Sequence, residues 1–365
     1  MTSLAQLGNN LYSGTTSIPF VPRRRVWYSI AVAVIALSAV LLGTVGLNPG
    51  IDFKGGSEIT VSGLSSPQVG PANEVLRSEG MSQASSVTTM GSSAVRVQTN
   101  ELSKDELDSL SAALADAYDA DPAEVSATTI GPTWSSDVTK KAVRGLVVFF
   151  LLVGALIWAY FRTWKMAAAA LLALAHDIVV TVGVYALSGF EVSPATIIGV
   201  LTLLGYSLTD TVVVFDKIRE NTKGFEAQTR STYAELANLA VNQTFVRSIN
   251  TSVVGVLPVA SLLVVGAFIL GAGTLRDIAL TLFIGMIAGT LSSIFLATPL
   301  LVDLRSREKG IREQATRVAQ ARARRLAEAD DEEAAALASA PVAAPLVPGH
   351  HLGVHAQPKR RRKRS

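Results

Sequence analysis

Ionisable side chains stand in this sequence within stretches otherwise too apolar to hold them. Asp210 lies in an apolar run over 192–214, and Asp216 and Lys217 follow where that run turns polar. At 1.5 Å per residue a helix places Asp210 about 9 Å inside that boundary. An ionised carboxylate at such a depth costs about 2.5–3.5 kcal/mol or more unless it is paired, hydrated or protonated. Proton chemistry is one explanation for an Asp here; a structural hydrogen bond to a neighbouring helix is the other. Arg247 opens a later apolar run, at a depth comparable to Asp210 if the two helices are antiparallel. It can snorkel to lipid headgroups or pair with Asp210. Protonating the carboxyl of such a pair releases the arginine, which is the bistable behaviour a proton-driven machine needs. His176 and Asp177 sit in the middle of a third run. Neighbours on a helix point about 100° apart, so one faces the bundle while the other bonds elsewhere. Together with Asp216 they are candidates for a proton relay or for plain helix contacts.

The elements that must position these groups are legible from composition. Of 365 residues, 49% are hydrophobic and only 17% charged, against about a quarter charged in a soluble domain. Lipid-embedded segments account for the shortfall. Cysteine is absent and three of the four histidines fall beyond residue 349, so disulfides, thiol catalysis and cysteine-bound clusters are excluded and no metal site is expected. No phosphate loop of the G-x-x-x-x-G-K-[ST] type occurs, and no nucleophile–base set is evident. Neither an enzyme nor a cofactor-binding protein is expected. The net charge of +3 is concentrated by segment, which speaks for membrane topology and against nucleic-acid binding.

Six apolar runs reach spanning length, over 26–47, 142–161, 166–187, 192–214, 249–270 and 278–302. Arg23, Arg24 and Arg25 precede the first, which is long enough to span and lacks a small-x-small cleavage site, so it is expected to be an uncleaved anchor. Arg162 and Lys165 follow the second run; Lys217, Arg219, Lys223, Arg230 and Arg247 lie between the fourth and fifth; arginines crowd the tail after Arg305. The turn at Glu191 has no Lys or Arg, and Arg276 beside Asp277 is the lone basic residue of the last short turn. The positive-inside rule then places both termini in the cytoplasm. The expected organisation is a cytoplasmic segment 1–25, a first helix 26–47, an extracytoplasmic domain 48–140, helices two to six over 141–302, and a charged, largely disordered cytoplasmic tail 303–365. Residues 1–22 read as disordered or surface-bound. Gly285–Gly289 forms a GxxxG packing seam, and Pro194, Pro258 and Pro299 are candidate kinks. The tail is expected to carry an interrupted surface helix to about residue 337, and the cluster from Lys359 to Arg364 fits anionic lipid.

Residues 48–140 alternate as strand 57–62, helix 67–79, strand 84–90, strand 94–99, helix 104–118 and strand 124–130. Gly91-Ser92-Ser93 supplies the hairpin turn, and Ser103 with Glu106 a capping box. This β-α-β-β-α-β order is that of the ferredoxin-like split βαβ arrangement. The fold class expected is an all-α six-helix membrane bundle carrying an α+β ferredoxin-like domain.

Several segments are similar to one known family. Gly50-Ile51-Asp52-Phe53-Lys54-Gly55-Gly56 resembles the G-[aliphatic]-D-F-x-G-G motif of the SecD/SecF proteins. The stretch from Gly205 to Asn221 resembles the family's long signature at the end of the fourth helix, and that from Asn242 to Ser252 the segment opening the fifth. His176-Asp177 also fits. The likeness runs from Val26 to Val302, and the single helix set with a small lobe resembles the SecF branch as a separate subunit. It implies an RND-superfamily bundle that works with SecD and the SecYEG channel, with YajC- and YidC-type proteins as further partners, on preprotein in the membrane lipid. Proton flow would drive late export. Carried over, Asp210 and Arg247 are the proton-pathway pair, while Gly50, Asp52, Phe53, Gly55 and Gly56 link the first helix to the lobe. A small-molecule transporter of the same superfamily and a non-conducting translocon scaffold are the alternatives.

Overall fold

The computed structural model describes residues 4–81, 86–266 and 273–328. Helices α1 (Leu4–Ser13) and α2 (Arg24–Thr44) come first, then β1 (Asn48–Pro49) and the short α3 (Ile51–Lys54). The lobe follows as β2 (Gly56–Val61), α4 (Val69–Ser78), β3 (Ser86–Met90), β4 (Ala94–Thr99), α5 (Lys104–Tyr118) and β5 (Val125–Ile130). The remaining elements are α6 (Pro132–Phe161), α7 (Trp164–Ser188), β6 (Glu191–Val192), α8 (Pro194–Asn221), α9 (Tyr233–Val264), α10 (Gly273–Ser292), α11 (Thr298–Ser306) and α12 (Lys309–Glu328).

Among the described residues, six helical stretches are long and apolar enough to cross a membrane. Their outer faces stay apolar: Val32, Leu37 and Val40 on α2, Leu151, Leu152 and Leu156 on α6, and Val254 and Leu257 on α9 are all exposed. A helix apolar all round belongs in lipid, where such faces need no cover. The interior is built from α7, α8 and α10, with α2, α6 and α9 around them. The α8–α10 contact depends on small residues. A methyl at Gly289 would stand 2.7 Å from Ser207 Cβ, one at Gly199 would stand 2.8 Å from Thr281 Cβ, and one at Gly285 would collide with Leu203. In lipid the hydrophobic effect does not drive helices together, so close backbone approach through such residues does. The GxxxG stretch is thus the packing seam its spacing predicts.

In the lobe, the sheet order is β3-β4-β2-β5 with every neighbouring pair antiparallel. Helices α4 and α5 cover it through Ala72, Leu76, Leu110 and Leu114, packed on Ile59, Val61, Val95 and Val97. The Ser103–Glu106 capping box forms as expected, and Gly91 has the positive φ that the hairpin turn requires.

Four expectations are corrected. Pro194 does not kink a helix: it is the first residue of α8, where its missing N–H costs nothing and its fixed φ helps initiation. Pro299 lies within the continuous helical stretch Thr274–Ser306, just after a π-helical turn over Ser293–Ala297 of the kind that bends a helix, and Pro258 lies inside α9. The helix expected from 142 begins at Pro132, because polar residues such as Ser135, Asp137 and Thr139 extend it out of the apolar zone towards the lobe. Residues 4–22 are docked rather than loose: Leu11, Phe20 and Val21 are buried, and Asn242 and Asn238 on α9 accept hydrogen bonds from the backbone N–H of Ile18 (2.7 Å) and Val21 (3.0 Å). That docking explains why α9 starts at Tyr233, ahead of its apolar run. The tail helix expected on the surface from about residue 304 is α12, and it is packed rather than free: Ile311, Gln314 and Val318 are buried, and Gln314 donates to the Ser231 carbonyl at 2.8 Å. Its expected continuation past residue 328, and the basic cluster, lie outside the described residues.

Gly289→Ala is expected to destabilise the bundle by about 1–3 kcal/mol through overpacking against Ser207, read as a lower thermal midpoint of the detergent-solubilised chain, while Gly205→Ala, whose added methyl meets nothing within 4 Å, leaves it near wild type.

Candidate functional site

Among the described residues, three buried acids lie in the spanning helices: Asp177, Asp210 and Asp277, exposed by 0%, 5% and 7%. Asp210 sits on α8, where its Oδ2 accepts a hydrogen bond from Ser252 Oγ of α9 at 3.4 Å. Ser252 in turn accepts from Thr290 Oγ1 of α10 at 2.6 Å. The buried Ser248 hydroxyl, one turn before Ser252, has no hydrogen-bond partner among the described residues. Asp177 on α7 accepts from Ser207 Oγ of α8 at 2.6 Å, and its other oxygen lies 3.5 Å from His176 Nδ1. Ser207 and Asp210 are three residues apart on α8 and so neighbours on one face. Asp177 and Asp210 therefore belong to one hydroxyl-rich seam joining α7, α8, α9 and α10.

Of the sequence-predicted pair, Asp210 is inside the bundle and Arg247 is not. Arg247 is exposed and makes no ion pair within 4.0 Å among the described residues, although its charge is near enough to act on Asp210. It lines a cleft of about 540 Å³ with Tyr12, Asp216, Lys217, Glu220 and Gln243. Of the two options its position left open, this conformation has the outward one. Asp216 is exposed in the same cleft and lies apart from His176–Asp177, which split as adjacent helical residues must: Asp177 faces the seam and His176 is half-buried beside it.

The linking motif joins lobe and bundle. Gly50 N–H donates to Val192 O at 2.9 Å, continuing the parallel pairing of β1 with β6. A side chain at Gly50 would press on Glu191, and one at Gly56, with φ +133°, on the Thr99 carbonyl. Gly55 has φ +79°, so both glycines adopt backbone that other residues rarely reach. Phe53 and Asp52 are half-buried on α3, which packs against α6. Burial first, and then the charge of Glu191, hold the Asp52 carboxyl above its ordinary range.

Glu191 was legible only as a turn without basic residues, yet it is the joint's centre. Its carboxylate pairs with Arg96 of β4 and accepts from Gln98 Nε2 at 2.8 Å, while Glu58 accepts from the same Gln98 at 2.9 Å. Ser207, Thr290 and Asp277 were also missed as a set. Only the recurrence of small hydroxyl residues opposite the acids signals them in sequence.

Six apolar crossings that enclose buried acids and carry one α+β lobe define a multi-pass membrane protein with a polar seam. The SecD/SecF protein-export membrane protein C-terminal model matches residues 110–307, and the SecD/SecF GG motif matches residues 40–62. The chain belongs to the SecD/SecF family of bacterial membrane proteins. It is 43% identical to the protein translocase subunit SecF of Streptomyces coelicolor, covering 92% of this chain and 90% of that one. It is 46% identical to the SecF subunit of Mycobacterium leprae, over 86% of this chain and 70% of that one. The crystal structure of SecDF from Thermus thermophilus, described as a translocon-associated membrane protein, superposes with a TM-score of 0.71 at 32% identity over 80% of this chain. This chain spans only 39% of that longer one.

Arg96→Leu leaves Glu191 and Glu58 without their cation and is expected to cost about 3 kcal/mol, as removing one partner of a buried pair does. In thermal unfolding, the double variant with Glu191→Gln should lose less than the sum of the single losses. For Asp52, a carboxyl raised in the fold loses stability as pH climbs from its unfolded value of about 4 through its folded one. Unfolding midpoints of wild type and Asp52→Asn should therefore agree at acid pH and separate as pH rises, with the variant the more stable.

Proposed function

We propose that this chain is the SecF-type accessory subunit of the Sec protein translocase, which acts with SecD to complete preprotein export at the SecYEG channel under the proton gradient. YajC- and YidC-type proteins are its further neighbours. The lobe, with its β-α-β-β-α-β order, is a ferredoxin-like domain on the extracytoplasmic side, and both termini are cytoplasmic, as the arginine distribution of the loops supports. The work is transport and involves no covalent chemistry.

The observation that carries this reading is Asp210. It is a carboxylate buried within a membrane-spanning helix, held by a hydroxyl of the next helix rather than by a cation. Such a group changes charge when it takes up a proton, and the low dielectric of the bilayer makes that change large in energy. Arg247, exposed in the adjacent cleft, is the cation whose approach to Asp210 would favour proton release. Two conformations, one with Arg247 outward and one with it drawn in, make the pair a switch. Asp177, His176 and Ser207 continue the polar seam away from Asp210, and Asp216 sits at its mouth. Gly50, Asp52, Phe53, Gly55 and Gly56, with the Glu191 turn, pass the rearrangement to the lobe.

Preprotein release from inverted vesicles containing the SecD partner tests it, with wild type and Asp210→Asn compared at fixed ATP with and without a gradient. The expected outcome is a folded, complexed variant that has lost only the gradient-dependent part of release. Unchanged gradient-dependent release would make Asp210 structural and the chain a scaffold of the translocon.

A further inference from the structure

Asp277 is a buried carboxylate with no task in the reading above. It lies near the start of α10, at the lobe end of the bundle. Ser193 Oγ donates to its Oδ2 at 2.8 Å, and Arg276 pairs with its Oδ1 at 3.2 Å. Its backbone carbonyl accepts from Thr281 Oγ1 at 2.8 Å and from Tyr185 OH at 3.3 Å, and those two hydroxyls are 2.6 Å apart. The charged or titratable groups that act on it are Arg276, Tyr185 and Glu191.

This cluster is not isolated from Asp210. On α7 the buried residues Asp177, Thr181 and Tyr185 recur every four positions, which keeps them on one face. The stripe they form is about 12 Å long. Its inner end is Asp177, bonded to Ser207 one turn from Asp210, and its outer end is Tyr185, bonded to Thr281 beneath Asp277. Hydroxyls and carboxylates thus line a path through the bundle from Asp210 past Asp177 to Asp277. A neutral Asn at 277 would accept the Ser193 hydrogen bond as well, without the cost of burying a charge.

We propose that Asp277 is a second proton-binding residue of this subunit, exchanging protons with the aqueous phase on the lobe side and connected to Asp177 and Asp210 along Tyr185 and Thr181. The inference rests on the proton-driven reading. The step adds one proton to the carboxylate, which cancels the charge that Arg276 balances, and returns it when the proton moves on. No other bond forms or breaks. Ser193, which holds Asp277, is two residues from Glu191, which holds Arg96 and Gln98 of the lobe. Loading of Asp277 therefore acts on the turn that anchors the lobe.

The test is gradient-dependent preprotein release from inverted vesicles with SecD present, measured as the lumenal pH is varied, for wild type, Asp277→Asn, Asp277→Glu, Ser193→Ala and Asp210→Asn. Asp277→Asn should fall to the rate seen without a gradient and lose its response to lumenal pH, with Asp277→Glu restoring both. Ser193→Ala, which keeps the carboxylate but removes its donor, should displace the lumenal-pH profile. If Asp277→Asn does not accumulate in the membrane, the Ser193→Ala profile decides: coincidence with wild type overturns the proposal. Full gradient-dependent release and an unaltered profile in Asp277→Asn, with Asp210→Asn inactive, overturns the role of Asp277 and leaves the motor reading standing. If Asp210→Asn also keeps gradient-dependent release, the motor reading itself falls.

Discussion

A carboxylate in the hydrocarbon layer must find a partner inside the protein, and the bundle is arranged around meeting that demand three times. Asp177 is bonded by Ser207, Asp210 by Ser252 and Asp277 by Ser193, in each case across to a neighbouring helix. A serine hydroxyl stabilises a carboxylate without fixing its charge, as a buried arginine would. For Asp177 and Asp210 a serine hydroxyl is the partner on the neighbouring helix, whereas Asp277 pairs with Arg276 as well. Bringing hydroxyl to carboxylate requires helices close together, and that requirement explains Gly199, Gly285 and Gly289 along the α8–α10 seam. Removing space at the seam and removing the polar contacts are the same disturbance seen from two sides.

The lobe is tied to this bundle at the Glu191 turn as well as through α3 on α6. β1 and β6 pair for only two residues, and the Glu191 carboxylate beside them holds Arg96 and Gln98 of the sheet. Arg96 is nearly buried, so its pairing with Glu191 is little screened by solvent. The same turn begins α8 through the Ser193 capping box, with Pro194 at the first helical position. One short turn therefore starts the helix that carries Asp210, bonds Asp277 and grips the lobe.

At the opposite end, the N-terminal segment closes over α9. Asn238 and Asn242 each donate to the Ile18 carbonyl as well as accepting from the backbone, so the four-residue spacing of two asparagines makes a clamp for an extended chain. Tyr12 reaches the cleft containing Arg247, with Lys217 over its ring at 5.7 Å. The surroundings of Arg247 are thus set partly by residues far from it in sequence.

The six spanning helices and the lobe's element order could be read from sequence, because hydrophobic run length and strand alternation are local properties that lipid and water act on directly. The GxxxG stretch also announced its seam, since only a close neighbour makes glycine useful at that spacing. Tertiary structure alone decided which helix faces meet. Ser207, Ser252 and Thr290 are unremarkable residues until α8, α9 and α10 bring them to the acids. Glu191 reads as a turn until β4 arrives from 95 residues away in sequence. The docking of residues 4–22 leaves no periodic signal in a short polar segment; it is held by Asn238 and Asn242 on α9 and by the burial of Leu11, Phe20 and Val21. Pairing across helices depends on rotation and offset, which are fixed by packing of the whole bundle and leave no mark on either segment by itself.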